Sequence, residues 1–269
     1  MSVPDIKTIS FAGAGNIAGY LAPLLVNAGY SIVQIVSKHM ESAERLALRV
    51  GAGYSTDPAS LDQDTDLLII AIPDQAIPGF ALALKNAGNY KGLVAHTSGS
   101  LSLGTLAQYF DRAGVFYPLQ SFTRFSSPDI SRVPFCIEAT SPEIEDQLAA
   151  VAGLLSKDVR MLDSVQRAAV HLAAVFAGNF SNHMFAIADC LLGKAAVGAD
   201  ILLPLIQETA ARIVGKHPAD LQTGPAIRGD WPTIDYHLRM LQAYPEWKEI
   251  YKTISENIVT LQAKGGTCQ

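Results

Sequence analysis

The stretch Gly13-Ala14-Gly15-Asn16-Ile17-Ala18 carries the first chemistry legible in this chain. It follows an apolar run that begins at Ile6 and precedes an apolar, helix-like stretch over residues 20–28. Gly13 permits a tight turn that a side chain would block, Gly15 leaves room for a pyrophosphate to approach the backbone, and Ala18 lets a helix pack close on a strand. The unpaired N–H groups at the start of that helix would face the phosphates. This is the G-x-G-x-x-A form of the dinucleotide fingerprint in its strand–turn–helix setting. It predicts a dinucleotide contacted at Gly13, Gly15, Asn16 and Ile17.

Which dinucleotide is read from the end of the next strand. An NAD site usually carries Asp or Glu there to hold the ribose 2′-hydroxyl. The run 31–36 ends instead in Ser37-Lys38-His39, with no carboxylate before Glu41. A hydroxyl and an ammonium attract a 2′-phosphate that a carboxylate would repel. Ser37 and Lys38 therefore predict NADP(H), read here as NADPH, with a solvated loop as the plainer alternative. The apolar run 67–72 stops at Pro73-Asp74, and strand ends line the ligand crevice in a doubly wound sheet, so Ile72, Pro73 and Ala76 should lie beside the cofactor.

Two further groups could act on a substrate. His96-Thr97-Ser98-Gly99-Ser100 follows a strand over 92–95 and brings an imidazole and hydroxyls to the same edge. Further on, Arg167, His171, Val175, Gly178, Asn182 and Asp189 share one face at helical spacing, with Asn179 at its flank. A polar stripe on a buried helix needs partners, either structural hydrogen bonds or a ligand. His171 could donate a proton to a carbonyl or imine, with His96, Ser98 and Asn179 as the other catalytic candidates. In the loop 223–230, Arg228 could bind a substrate carboxylate or simply pair with Asp230.

The elements that position these residues alternate over the first half. Strands are expected at 31–36, 67–72, 92–95, 115–117, 134–138 and 159–162. Helices are expected at 41–50, ended near Gly51, and at 142–155, with Ser141 as N-cap and proline at the first helical position. After Asp163, alanine- and leucine-rich stretches take over. They predict one long buried helix over 164–192 and helices at 200–215, 218–222, 232–241 and 245–264. The fold class is α/β: a Rossmann-type doubly wound parallel sheet over residues 1–162, followed by an all-α substrate and dimerisation domain over 163–269.

The 269 residues are 49% hydrophobic, enough for a sizeable core, and the formal net charge of −5 favours neither nucleic acid nor an anionic membrane as partner. No basic region precedes the first apolar stretch, which argues against a signal peptide. The apolar stretch 168–187 is interrupted by His171, Asn179, Asn182 and His183, which a membrane span would not carry cheaply. Cys136, Cys190 and Cys268 are too few and too far apart for a disulfide framework and are read as free thiols. The scattered His96, His171, His183 and His237 offer no zinc site. A cytoplasmic protein is expected.

Five stretches together carry a resemblance. They are the glycine turn at 13–18, His96-Thr97-Ser98-Gly99-Ser100, Pro118-Leu119-Gln120-Ser121-Phe122, residues 171–180, and Gly224-Pro225-Ala226-Ile227-Arg228-Gly229-Asp230. Over nearly its whole length the chain resembles a bacterial family that joins a Rossmann-like NADP-binding domain to a C-terminal helical domain of unknown function. It is more distantly similar to deazaflavin-dependent NADP oxidoreductases, pyrroline-5-carboxylate reductase and 6-phosphogluconate dehydrogenase. The resemblance implies an all-α dimerisation domain with the active site between the domains. Where the family commonly has His before Pro-Leu-Gln-Ser-Phe, this chain has Tyr117. Where the hydroxyacid dehydrogenases place Lys with Asn four residues on, it has His171 and Val175, with Asn179 eight residues on. The function expected is NADP(H)-dependent hydride transfer to or from a small oxo-, hydroxy- or imino-acid, in a homodimer joined through the helical domain. A non-catalytic NADP(H) sensor and a deazaflavin acceptor stand as alternatives.

Overall fold

Short apolar runs with no polar face read as strands covered on both sides, and the computed structural model, which describes residues 6–88, 90–123 and 128–266, places them at the centre of one sheet. In chain order the first half gives β1 (Thr8–Ala12), α1 (Asn16–Asn27), β2 (Ser31–Val36), α2 (Met40–Val50), β3 (Gly53–Ser55), β4 (Leu67–Ile70) and α3 (Ile77–Ala87). It continues with β5 (Leu93–His96), α4 (Gly104–Ala107), β6 (Ala113–Pro118), β7 (Phe135–Ala139), α5 (Pro142–Gly153) and β8 (Val159–Met161). The eight strands lie in the order β3-β2-β1-β4-β5-β6-β7-β8. Through β6 this is the 3-2-1-4-5-6 order of dinucleotide-binding sheets.

Side chains alternate between two cores. Phe11, Ile35 and Ile69 pack with Leu21 and Leu25 of α1 and with Leu46 of α2. Leu68, Ile70 and Val94 face the other way, onto Ile77, Ala81 and Leu84 of α3. Helices therefore cover both faces, as doubly wound sheets require. The sheet departs from the parallel expectation at one pair: β6 and β7 run antiparallel, with Phe116 opposite Ile137. Among the described residues of the connection between them there is no crossover helix, and a short 3-10 turn at Ile130–Arg132 precedes β7, so the chain returns beside β6 in the opposite sense. α5 then restores a parallel crossover from β7 to β8.

Local signals explain the helix ends. Ser141 Oγ accepts from the Ile144 N–H, Asp163 and Gln166 form a reciprocal capping box, and Gly51 ends α2 in the left-handed conformation. In the first half, β3, α3 and the one-turn α4 escaped the sequence reading. β3 has three residues and no apolar alternation, and the alanines and glycine of α3 blur its periodicity.

After β8 the described residues form helices and turns only: α6 (Ser164–Ala174), a π-helical segment (Val175–Phe180), α7 (Ser181–Lys194), α8 (Leu203–Arg212), α9 (Pro225–Arg228), α10 (Trp231–Met240) and α11 (Pro245–Ala263). The long buried helix expected over 164–192 is corrected twice. It is interrupted by the π segment, and of its side chains only Arg167 is buried while Leu172, Phe176, Phe180, Phe185 and Leu191 are exposed. Apolar composition alone does not decide whether a helix's side chains are buried.

The chain divides into two compact units, Met1–Asn179 and Phe180–Gln269. The first holds the sheet and α6. In the second, Ala226, Ile234 and Leu241 are buried, and a hydrogen bond of 2.9 Å joins His237 Nδ1 of α10 to Tyr251 Oη of α11. Cys136 is a buried free thiol and Cys190 an exposed one, while Cys268 lies outside the described residues. No helix among the described residues is long and apolar enough to cross a membrane, and no cluster among them could hold a metal ion.

Candidate functional site

A cleft of about 1430 Å³ opens at the carboxyl ends of β1, β2 and β4, within the first unit. Its floor is the glycine turn. Gly13 has φ +107°, and a Cβ there would meet the Ala71 carbonyl oxygen at 2.2 Å, so no side chain fits. Its N–H donates to the Val36 carbonyl at 2.7 Å, which ties the turn to the neighbouring strand. At Gly15 a Cβ would meet nothing within 4 Å and would stand in the open cleft, where a pyrophosphate would otherwise approach. α1 begins at Asn16 with no side-chain cap and no acidic residue in its first turn, so its first N–H groups are left to an anion. These features fit a dinucleotide.

The rim at the end of β2 is cationic. Ser37, Lys38, His39, Ser42, Arg45 and Arg49 line it, and no carboxylate stands among the described lining residues. Lys38 and Arg45 have no ion-pair partner among the described residues, whereas Arg49 Nη1 donates to the Gly19 carbonyl at 3.1 Å. Ile72, Pro73 and Ala76 form the opposite wall. The segment after β6 closes on the turn: Asn16 Nδ2 donates to the Phe122 carbonyl at 3.0 Å, and the Tyr20 and Phe122 rings lie 4.9 Å apart.

Beyond β4 and β5 lies a denser polar group. Pairing of Ile70 with His96 brings the two strand ends together. Asp74 Oδ2 accepts from Ser98 Oγ at 2.7 Å and from Ser100 Oγ at 2.6 Å. Ser98 Oγ in turn accepts from the N–H groups of Ser100 and Leu101 at 3.1 and 3.0 Å. One donor and two acceptor positions are all a hydroxyl offers, so Ser98 is fully used in shaping its own loop and the uncommitted oxygen is on Asp74.

His96 is enclosed. Its Nδ1 accepts from the Ser98 N–H at 3.2 Å, and the Ser102 backbone lies on its other side. Burial, reinforced by the Arg167 guanidinium, pushes its pKa down to about 4. Unfolded, it would protonate near 6.5. The unfolded state therefore binds the proton more tightly. Stability should fall by about 3 kcal/mol as pH drops from about 6.5 to about 4, and be untouched by this residue above that window. Urea midpoints measured across it should fall in the wild type and flatten in His96→Asn, whose amide oxygen can keep the Ser98 bond. Equal slopes would refute this account.

On the other side of the same loop, Tyr117 Oη and His171 Nδ1 lie 3.0 Å apart, with their rings edge to face. A Cβ on Gly99 would come within 2.7 Å of both His171 Nδ1 and Tyr117 Cζ, so only glycine lets the pair close over the loop. Burial holds the Tyr117 phenol up at about 12. α6 is fastened beneath. The fully buried Arg167 pairs with Glu138 through Nη1 and donates to the Leu101 carbonyl through Nη2, and Ser164 Oγ donates to Glu138 while accepting from Leu103 N–H at 3.0 Å.

The residues named from sequence thus divide into groups. Gly13, Gly15, Asn16, Ser37, Lys38, Ile72, Pro73 and Ala76 line one cleft, while Ile17 packs against the core beneath it. His96, Ser98 and His171 gather around the loop 98–102. Asn179 is exposed within the π segment, whose i→i+5 bonding breaks the 3.6-residue period that placed it beside His171. Arg228 belongs to the second unit, 63% exposed and 4.0 Å from Asp230. Sequence reasoning passed over Arg45, Asp74 and Glu138. Arg45 could have been found, because Ser42, Arg45 and Arg49 recur at i, i+3 and i+7 on α2. Asp74 looked like a strand terminator and only the fold brings it to Ser98.

The glycine turn, strand order and cleft define a Rossmann-type α/β protein with a dinucleotide fingerprint. Residues 8–99 match the family described as NADP oxidoreductase, coenzyme F420-dependent, and residues 133–258 match a domain of unknown function, DUF2520. A Bacteroides fragilis protein provisionally designated an NADP oxidoreductase is 40% identical over 96% of this chain and 100% of its own, with a TM-score of 0.90. The chain belongs to this family, in which a Rossmann-like NADP oxidoreductase domain is joined to a DUF2520 domain. A Thermotoga maritima protein shares the fold at 22% identity over 96% of this chain and 100% of its own (TM-score 0.69). Pyrroline-5-carboxylate reductase from Streptococcus pyogenes does so at 14% identity over 94% and 98% (TM-score 0.63). No curated protein matches the sequence significantly.

Proposed function

We propose that this chain is an NADP(H)-dependent oxidoreductase acting on a small oxo-, hydroxy- or imino-acid. The observation that carries the cofactor choice is the rim at the end of β2, where Ser37, Lys38, Ser42 and Arg45 stand together with no carboxylate among the described lining residues. A 2′-phosphate needs charge-assisted donors, and a carboxylate there would repel it. The turn at Gly13 and Gly15 and the start of α1 would hold the pyrophosphate, with Ile72, Pro73 and Ala76 as the wall beside it. When bound, NADPH supplies the hydride. His171 presents a donor to the substrate atom that gains charge, Asp74 supplies an acceptor, and His96 and Ser98 hold the loop that positions both. Asn179 is the remaining candidate within the first unit for binding the substrate's polar groups. The deazaflavin in the name of the matched family concerns residues 8–99, the nucleotide half, and leaves the acceptor open.

Fluorescence titration with NADPH and NADH tests the reading. NADPH should bind at least about tenfold more tightly. Lys38→Ala and Arg45→Ala should each weaken NADPH about tenfold, the value of one charged hydrogen bond at 1.4 kcal/mol, and leave NADH unchanged. Equal affinity for the two nucleotides would overturn it.

Exposed apolar side chains of the helical half, Phe185 and Leu191 among them, are assigned to an interface with a second copy of the chain, since monomers rarely expose so many large apolar side chains. Sedimentation should show a dimer at micromolar concentration, and a monomer there would remove the assignment.

A further inference from the structure

We propose that Tyr117 is a positioning residue that fixes which nitrogen of His171 carries the proton, so that the uncharged imidazole presents Nε2–H, as a hydrogen-bond donor, to the substrate. The inference deepens the proposed function and rests on it for its catalytic meaning, but the tautomer itself can be read without any nucleotide or substrate.

The geometry runs in one direction. Tyr117 is 8% exposed, and among the described residues its hydrogen-bond partner is His171 Nδ1, at 3.0 Å. Were Nδ1 to carry the hydrogen and donate, the buried phenol O–H would have no acceptor among the described residues, a costly orphan, so Oη donates and Nδ1 accepts. An uncharged imidazole that accepts at Nδ1 must carry its hydrogen at Nε2. Nε2 has no partner among the described residues, and His171 is half-exposed, so this N–H is the one a substrate can reach.

The alternative tautomer would offer the substrate a bare nitrogen, suited to taking a proton rather than to polarising a carbonyl or imine. A neutral N–H donor of this kind stabilises developing negative charge without being consumed. The packing supports the same assignment. Gly99 leaves the space in which the two rings meet, and Arg167, one turn before His171 on α6, is bound to the loop at Leu101, which fixes the helix that carries the imidazole.

The test is ¹⁵N NMR of the histidine side chains of the whole protein at pH 8.5, where an ordinary imidazole is uncharged. The His171 signals are identified by their loss in His171→Gln. We expect the wild type to show a protonated Nε2 and a bare Nδ1. In Tyr117→Phe this preference should collapse toward a mixture of tautomers. Gly99→Ala should do the same with the phenol still present, because the new methyl group forces the rings apart. A protonated Nδ1 in the wild type overturns the proposal whatever the variants do, as does an unchanged pattern in Tyr117→Phe, or in Gly99→Ala if Tyr117→Phe does not fold. None of these outcomes bears on the NADPH titration, so failure of the tautomer and failure of the cofactor reading stay distinct.

Discussion

Alanine at Gly13 is expected to abolish nucleotide binding and to lower stability together, whereas alanine at Gly15 should abolish binding alone. At Gly13 the new methyl group would lie 2.2 Å from the Ala71 carbonyl oxygen and 2.8 Å from its carbon. Those are backbone atoms, in the residue that follows β4 and donates to the Ala12 carbonyl at 2.7 Å, so they cannot swing aside. The backbone at φ +107° is itself strained for any residue but glycine. Overpacking and strain each cost about 1–3 kcal/mol, which together shift a urea midpoint well outside error and displace the turn from the phosphates. At Gly15 the methyl group meets no protein atom within 4 Å, so stability should stay within about 0.5 kcal/mol of wild type. It occupies the space a pyrophosphate would take, and NADPH affinity should drop by about a hundredfold or more, near 2.7 kcal/mol. If Gly15→Ala binds NADPH normally, the turn is not the phosphate cradle.

These two glycines also mark where sequence reasoning was strong. The strand–turn–helix unit around them is local, so the turn could be placed from spacing alone. The same holds for the cap at Ser141 and for the ends of β2 and α2. What sequence could not supply was pairing between distant elements. Asp74 meets Ser98 and Ser100 because β4 and β5 are neighbours in register, and Tyr117 meets His171 because α6 returns to the edge of β6. The helical face from Arg167 to Asp189 failed for another reason. Its period was assumed constant, and the π turn at Val175–Phe180 changes it. Burial was misjudged there as well, since composition records how apolar a helix is and not whether anything covers it.

Arg167 shows the cost of such long-range pairing most directly, and its loss should be the most destabilising change within α6. It is wholly buried, its guanidinium shared between the Glu138 carboxylate and the Leu101 carbonyl. The paired Glu138 side chain is itself only 16% exposed. Arg167→Met keeps the length and apolar stem but leaves that carboxylate without its countercharge and the Leu101 carbonyl without its donor. Removing one partner of a buried pair costs about 3–5 kcal/mol, a large part of the 5–15 kcal/mol that holds a typical domain folded. The double variant Glu138→Leu with Arg167→Met removes the stranded charge as well. It should therefore be more stable than Arg167→Met alone, since an apolar pair of similar volume is often neutral. Ser164 would still accept from Leu103 N–H, so α6 would keep one of its fastenings to the loop that Gly99 and Ser98 shape. Urea denaturation of the two single variants and the double closes the cycle. Additive losses would mean that the ion pair contributes nothing as a pair, and that packing of the arginine stem, not its charge, seats the helix beneath His171.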